Sequence, residues 1–330
     1  LLPRVAADLP DEERQIVLCI RAAQAVRESE LALKLCQRLT TIAPGNPVHI
    51  CKLGTLYQGF GRMEEAERAF RKALSLDPDY QPGWYFLATL RKWTADDPIR
   101  SNLEDFLQRH ADTGADTRAA HYALAKVHED GNSYDDAFQH LERGAQQFRA
   151  RSGYHSSMDR KLFADLQDWF LASADDAPPD CEPDGPLFIL GMPRTGSTLS
   201  DRILSSHSEI SSVGELMCFR RAVEASCGAS GEADFFVSFF SSAPPALPYR
   251  EIGERYLAML APLVGQERYF IDKMPMNYVF AGLIARSLPG ARFIHTVRNP
   301  MDTCFRNYKQ MFGEGYYSYS YDLDDLAMHY

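Results

Sequence analysis

Leu187-Phe188-Ile189-Leu190 runs directly into the loop Gly191-Met192-Pro193-Arg194-Thr195-Gly196-Ser197-Thr198, and the loop runs into Leu199, Ile203 and Leu204 at helical spacing. A short apolar run stopped by glycine reads as a buried strand, and the pattern after the loop reads as one face of a helix. The succession is a strand, an anion loop and a helix start. The loop also specifies what can bind there. Backbone N–H groups at a helix start attract an oxyanion; Gly196 permits close approach, Ser197 and Thr198 add hydroxyl donors, and Arg194 adds a full positive charge.

Two further runs, residues 269–271 and 292–297, have strand character, with a helical pattern over 277–288 between them. Strands alternating with helices imply a parallel α/β sheet, whose ligands bind beyond the carboxyl ends of the strands. The frame of a nucleoside triphosphate-binding loop, G-x-x-x-x-G-K-[ST], is nearly met, but Ser197 stands where the lysine belongs and no partner carboxylate for magnesium is evident. Triphosphate hydrolysis and phosphoryl transfer are therefore disfavoured, and a kinase is the weaker reading of this loop.

The first half follows another rule. Between 47 and 80, Leu53, Gly54, Tyr57, Ala66, Phe70, Ala73 and Pro78 fall at the spacing of a tetratricopeptide unit of about 34 residues. Small Gly54 and Ala66 let two antiparallel helices approach, Tyr57 and Phe70 fill the space between them, Gly59 and Gly61 turn the chain, and Asp77-Pro78 ends the second helix. One period earlier stand Ile16, Ile20, Ala32, Cys36, Leu39 and Pro44; one period later, Trp84, Leu87 and Ala88. A degenerate unit over 118–151 repeats the pattern with Leu124, Ala125, Ala137 and Leu141, after an irregular stretch around Asp96-Asp97-Pro98. Such units bury their apolar faces only by stacking, which implies an α-solenoid with a surface for docking a protein or peptide, or one serving as scaffold. His110, His121, His128 and His140 read as packing or surface residues, because a metal needs nearer and more numerous ligands.

Residues 173–186 combine proline with acidic side chains and read as a linker, which divides the chain into helical repeats at 1–172 and an α/β domain at 187–330. A net charge of −10 gives no broad basic footprint, so a nucleic-acid partner is not expected. The seven cysteines include no C-x-x-C pair and read as reduced thiols, as in the cytoplasm. No run approaches the roughly 18 apolar residues of a membrane span, and the amino terminus lacks the charged-then-apolar order of an export signal. The chain starts without Met and stops at Tyr330 within a new helical pattern, so the α/β domain is expected to be its amino-terminal part only.

Four motifs now stand in order: the loop at 191–198, Gly214-Glu215, Asp272-Lys273-Met274-Pro275, and Val297-Arg298-Asn299-Pro300 leading into Asp302-Thr303-Cys304. Together they resemble the sulfotransferases that use 3′-phosphoadenosine 5′-phosphosulfate, and among these the bacterial enzymes with amino-terminal tetratricopeptide repeats, relatives of the tyrosylprotein sulfotransferases. The resemblance implies a three-layer α/β fold with a P-loop-like phosphosulfate loop. It implies cofactor binding by Arg194, Thr195, Gly196, Ser197 and Thr198, and a catalytic set of Glu215, Lys273 and Arg194. Glu215 resembles the base that takes the acceptor proton, and Lys273 the cation that meets the oxygen bridging phosphate and sulfate. Arg298 resembles the arginine that grips the 3′-phosphate. Family members often carry a serine eight residues later; here Arg306 occupies that place, where it either binds the same phosphate, the preferred reading, or turns toward solvent.

The reaction so implied is transfer of a sulfuryl group to an acceptor hydroxyl, without a metal. A peptidyl tyrosine is the acceptor the resemblance favours; the hydroxyl of a glycan, a lipid or a small molecule stays open as an alternative. The competing reading is a repeat scaffold with an inactive sulfotransferase-like domain. The tyrosine-rich segment 315–322 superficially suits a sulfation target, but packing or a cleft wall is the preferred role, and His207 and His295 are read as structural.

Overall fold

The computed structural model describes residues 12–25, 28–94, 97–111, 113–172, 185–228, 239, 247–313 and 316–330. It consists of two compact units, Leu1–Arg151 and Ser152–Tyr330. No helix among the described residues is long and apolar enough to cross a membrane.

In the first unit, α1 (Glu13–Ala25) pairs with α2 (Ser29–Ile42), and α3 (Pro47–Gly59) with α4 (Met63–Leu76). The start of α3 follows from local chemistry: the Asn46 side chain accepts from the Val48 N–H at 3.0 Å, and Pro47 at the first helical position has no N–H to satisfy. The α3–α4 crossing is set by Gly54, where an added β-carbon would stand 2.5 Å from Cε1 of Phe70. Phe70 fills that space completely buried and stacks on Phe86 with ring centroids 5.7 Å apart. The expected repeat is thus present, with Gly61 in a left-handed turn conformation (φ 73°) between its helices.

Trp84, Leu87 and Ala88 are buried on α5 (Gln81–Thr89), as their spacing predicts. The irregular third unit has a structural counterpart: both α5 and α6 (Ile99–His110) pack on α7 (Arg118–Asp130). Between α7 and α8 (Tyr134–Ser152), His121 Nδ1 lies 3.0 Å from His140 Nδ1, and the His128 ring stacks on His140. No group of three or more metal-ligating side chains among the described residues is arranged to hold an ion.

The second unit begins before the expected boundary. Helix α9 (Ser156–Ala172), placed with the repeats by its sequence, contributes Leu162 and Trp169 to the second unit's core. Asp159 on α9 also accepts from His329 Nδ1 at 2.6 Å, and His329 Nε2 meets the Tyr278 hydroxyl at 2.8 Å. Residues 173–184 of the expected linker lie outside the described residues.

The sheet of this unit is parallel throughout, in the order β2 (Ile210–Gly214), β3 (Tyr269–Asp272), β1 (Leu187–Leu190), β4 (Arg292–His295). Strand β2 is additional to the three expected runs; its sequence, Ile-Ser-Ser-Val-Gly, carries too few apolar residues to stand out. The pattern expected as one helix over 277–288 divides into a 3₁₀ turn, Pro275–Phe280, and α13 (Ala281–Ser287), because Pro275 starts the tighter turn. Phe188 at the centre of β1 stacks on Tyr256 of α12 (Tyr249–Leu260) and meets Phe219 of α11 (Cys218–Cys227) edge-on. Each such buried ring contributes roughly 1.5–3 kcal/mol of transfer free energy, which makes this cluster the anchor of the strand that delivers the loop. Tyr319 and Tyr321 are buried, so these members of the tyrosine-rich segment pack as expected.

Candidate active site

All four strands end at one side of the sheet, and the motif residues follow those ends. From β1 the chain enters the loop at 191–196 and then α10 (Ser197–Leu204). Gly196, the residue before the helix, has φ 106°, a conformation that L side chains rarely adopt. Arg194 is also left-handed, with φ 68°, a strain of about 1 kcal/mol or more for a residue with a β-carbon. Arg194 and Thr198 are exposed, whereas Ser197 is buried.

Neighbouring connections supply the hydrogen bonds that hold the loop in this shape. The Gly191 N–H donates to Pro275 O at 3.2 Å. Thr195 Oγ1 donates to Met192 O at 2.7 Å and lies 2.8 Å from Thr296 Oγ1. Buried Asn307 donates from Nδ2 to Pro193 O at 2.9 Å. Thr296 and Asn307 were not among the expected site residues. Their signal in the sequence is their place beside the fourth motif, two residues before Arg298 and one after Arg306.

From β2 the chain passes through Gly214 to Glu215, whose side chain is about half exposed, and from β3 it reaches buried Lys273. The Lys273 N–H donates to Gly214 O at 3.0 Å, which ties these two strand ends together. Lys273 Nζ forms an ion pair with the Glu215 carboxylate and lies 3.4 Å from the Thr198 hydroxyl. The structure thus brings Glu215, Lys273 and Thr198 to one point, where a cation faces both the helix start and a carboxylate.

Asp272, next to Lys273, points the opposite way and is fully buried. It accepts from the Tyr256 hydroxyl at 2.9 Å and from Asn277 Nδ2 at 3.2 Å. Burial pushes its pKa up to about 7 in spite of those two donors. The alternation of a strand explains the pair: one residue is anchored inward, and the next is presented at the sheet edge.

Beyond β4, Asn299 caps α14 (Pro300–Tyr308) by accepting from the Asp302 N–H at 3.2 Å. Arg298 and Arg306 converge on one carboxylate: Arg298 Nε pairs with Asp302 Oδ2, and Arg306 Nε with Oδ1 at 2.7 Å. Arg306 and Arg298 together hold the Asp302 carboxyl below its ordinary range. Arg306 therefore sits beside Arg298 around a single anion.

The geometry can receive an oxyanion at the loop, place a lysine against it and present a carboxylate beside both. Residues 186–330 match the sulfotransferase family, and residues 50–80 match the tetratricopeptide repeat. Over 297 residues, 84% of this chain, the sequence is 27% identical to a protein of Aquifex aeolicus (strain VF5) described as "Uncharacterized protein". The matched region spans 37% of that relative's length. The second half of the chain is thus similar to the sulfotransferase family, and a segment of its first half to the tetratricopeptide repeat.

Proposed function

We propose that this protein transfers a sulfuryl group from 3′-phosphoadenosine 5′-phosphosulfate to an acceptor hydroxyl. The observation that carries the proposal is Lys273, whose ammonium meets both the Glu215 carboxylate and the Thr198 hydroxyl at the loop. A site for phosphosulfate transfer needs these three functions together: an oxyanion cradle, a cation for the leaving oxygen and a base for the attacking hydroxyl.

The phosphosulfate is held by Arg194, Thr195, Gly196, Ser197 and Thr198, with Arg298 and Arg306 on the 3′-phosphate. When bound it supplies the sulfuryl group. Glu215 takes the proton of the acceptor hydroxyl, and Lys273 and Arg194 stabilise the negative charge that grows on the phosphate oxygen as the bond to sulfur breaks. A half-exposed Glu215 suits this role, because the acceptor must reach it from solvent. We place the reaction in the cytoplasm, with a protein or peptide acceptor docked by the repeats and a peptidyl tyrosine as the favoured hydroxyl.

The test uses donor labelled in the sulfur, incubated with the protein and a cell extract, with products resolved by mass spectrometry. Transfer of label is expected in the wild type. Glu215→Gln is expected to reduce it by about 10² to 10⁴ while nucleotide binding persists. Transfer from labelled ATP but not from phosphosulfate would overturn the assignment.

A further inference from the structure

The two arginines of the 3′-phosphate subsite already hold an anion that the chain itself supplies. Asp302 lies four residues from each, after Arg298 and before Arg306, and uses one carboxylate oxygen on each guanidinium. Its carboxylate is not needed to cap the helix. Asn299 accepts from the Asp302 N–H, so the cap is made by another side chain. All three charged side chains are partly exposed, at 44%, 36% and 45% for Arg298, Asp302 and Arg306. Exposed ion pairs of this kind are individually weak, so an incoming dianion can displace them. The local charge sharpens the point: two guanidiniums and one carboxylate leave a net charge of +1, and removing the carboxylate raises it to +2.

We propose that Asp302 is an internal competitor for the 3′-phosphate: it occupies Arg298 and Arg306 when nucleotide is absent and limits the grip on the 3′-phosphorylated nucleotide after transfer. The inference rests on the sulfotransferase reading of the site. Without a competitor, two arginines on one phosphate would bind donor and product alike tightly, and a product retained in this way slows each turnover. With Asp302 present, part of the interaction is exchanged rather than newly made, since each guanidinium leaves a carboxylate for a phosphate.

Calorimetric titration of the full chain with 3′-phosphoadenosine 5′-phosphate and with adenosine 5′-phosphate tests this. The second ligand lacks the 3′-phosphate and reports on everything else in the site. Asp302→Asn is expected to tighten the 3′-phosphorylated ligand by about fivefold to tenfold, the equivalent of relieving two exposed ion pairs, and to leave adenosine 5′-phosphate within about twofold. Asp302→Ser is the second variant, in case the asparagine amide itself engages an arginine, and the same selective gain is expected. A wild type that binds both ligands equally would remove the 3′-phosphate reading of Arg298 and Arg306. A wild type that discriminates, with variants that bind the 3′-phosphorylated ligand no better or more weakly, would instead assign Asp302 to orienting the arginines and overturn the competitor role.

Discussion

Gly54→Ala is a one-carbon change whose effect follows from the packing of the first unit. The new β-carbon would stand 2.5, 2.7 and 3.0 Å from three ring atoms of Phe70. Phe70 has no space into which to retreat, being completely buried and stacked on Phe86. Overpacking of this kind costs about 1–3 kcal/mol. Alanine is the better helix former by roughly 1 kcal/mol, which offsets part of that cost. The expected net loss is at most about 2 kcal/mol, or a fall of up to roughly 8 °C in the melting temperature of a unit this size. Calorimetry of the full chain measures the fall, and hydrogen exchange of the α3 and α4 amides assigns it to the first unit. In a Phe70→Leu background, which lacks the clashing ring atoms, the same substitution is expected to cost about 1 kcal/mol less. If Gly54→Ala stabilises by the full roughly 1 kcal/mol of helix propensity with Phe70 intact, or has the same effect in both backgrounds, the glycine does not set the α3–α4 approach, and the repeat geometry has another origin.

Three further perturbations separate the two units and the chemistry. Burial and the neighbouring His140 and Arg143 hold His121 down at about 4, so the unfolded chain takes up protons near pH 6.5 before the folded one does. This contribution to the stability of the first unit is therefore complete above pH 6.5 and is expected to fall away toward pH 4 by on the order of 3 kcal/mol; His140 is also held down at about 4, so His121→Phe is expected to lessen the slope of a denaturation series over that range rather than remove it. Asp272 has the opposite sign: its folded pKa of about 7 lies above the unfolded value of 3.8, so its contribution is complete below pH 3.8 and is lost as pH rises through 7. Relative to wild type, Asp272→Asn is expected to gain stability between pH 4 and pH 8, by at most about 4 kcal/mol, and parallel curves for the two proteins would refute the buried-carboxylate account. Lys273→Met is expected to reduce sulfuryl transfer by about 10² to 10³ with little change in nucleotide affinity, and a rate within threefold of wild type would remove Lys273 from the leaving-group role.

The parts of this fold that were legible in the sequence are those in which a single residue type has a single physical use. Gly54 opposite Phe70 and Gly196 at a positive φ leave few alternatives, so the repeat and the loop were both readable. Strand β2 was not, because two serines dilute its apolar signal and Val213 alone reaches the core. Helix α9 was placed with the repeats because an amphipathic helix does not reveal which core its face covers; that needed Trp169 in the second core and the pairing of Asp159 with His329. In the candidate site, the loop, Glu215, Lys273 and Arg298 stood out by their motifs. Thr296 and Asn307 did not, since their roles are contacts made across 101 and 114 residues of chain, and Asp302, though part of the fourth motif, carried no role there because residue type alone does not disclose a partner.

Those unforeseen contacts explain why a strained loop persists. Arg194 sits in a conformation it does not favour, and the compensating bonds come from Pro275 beyond β3, Thr296 beyond β4 and Asn307 on α14. The loop's shape is thus a property of the sheet register, in which Leu190 lies opposite His295 and Phe188 opposite Asp272. A slip of one residue would turn Asp272 outward and Lys273 into the core, because side chains alternate along a strand. Burying a carboxylate is costly, and an apolar residue would fill the space at less expense. Only a polar side chain at 272 bonds to both Tyr256 and Asn277, and those two bonds bind the end of β3 to α12 and to the 3₁₀ turn. The unfavourable burial of Asp272 is in this way coupled to the placement of Lys273, so the part of the pH dependence that Asp272 contributes and the position of the cation proposed for the leaving group have one structural origin.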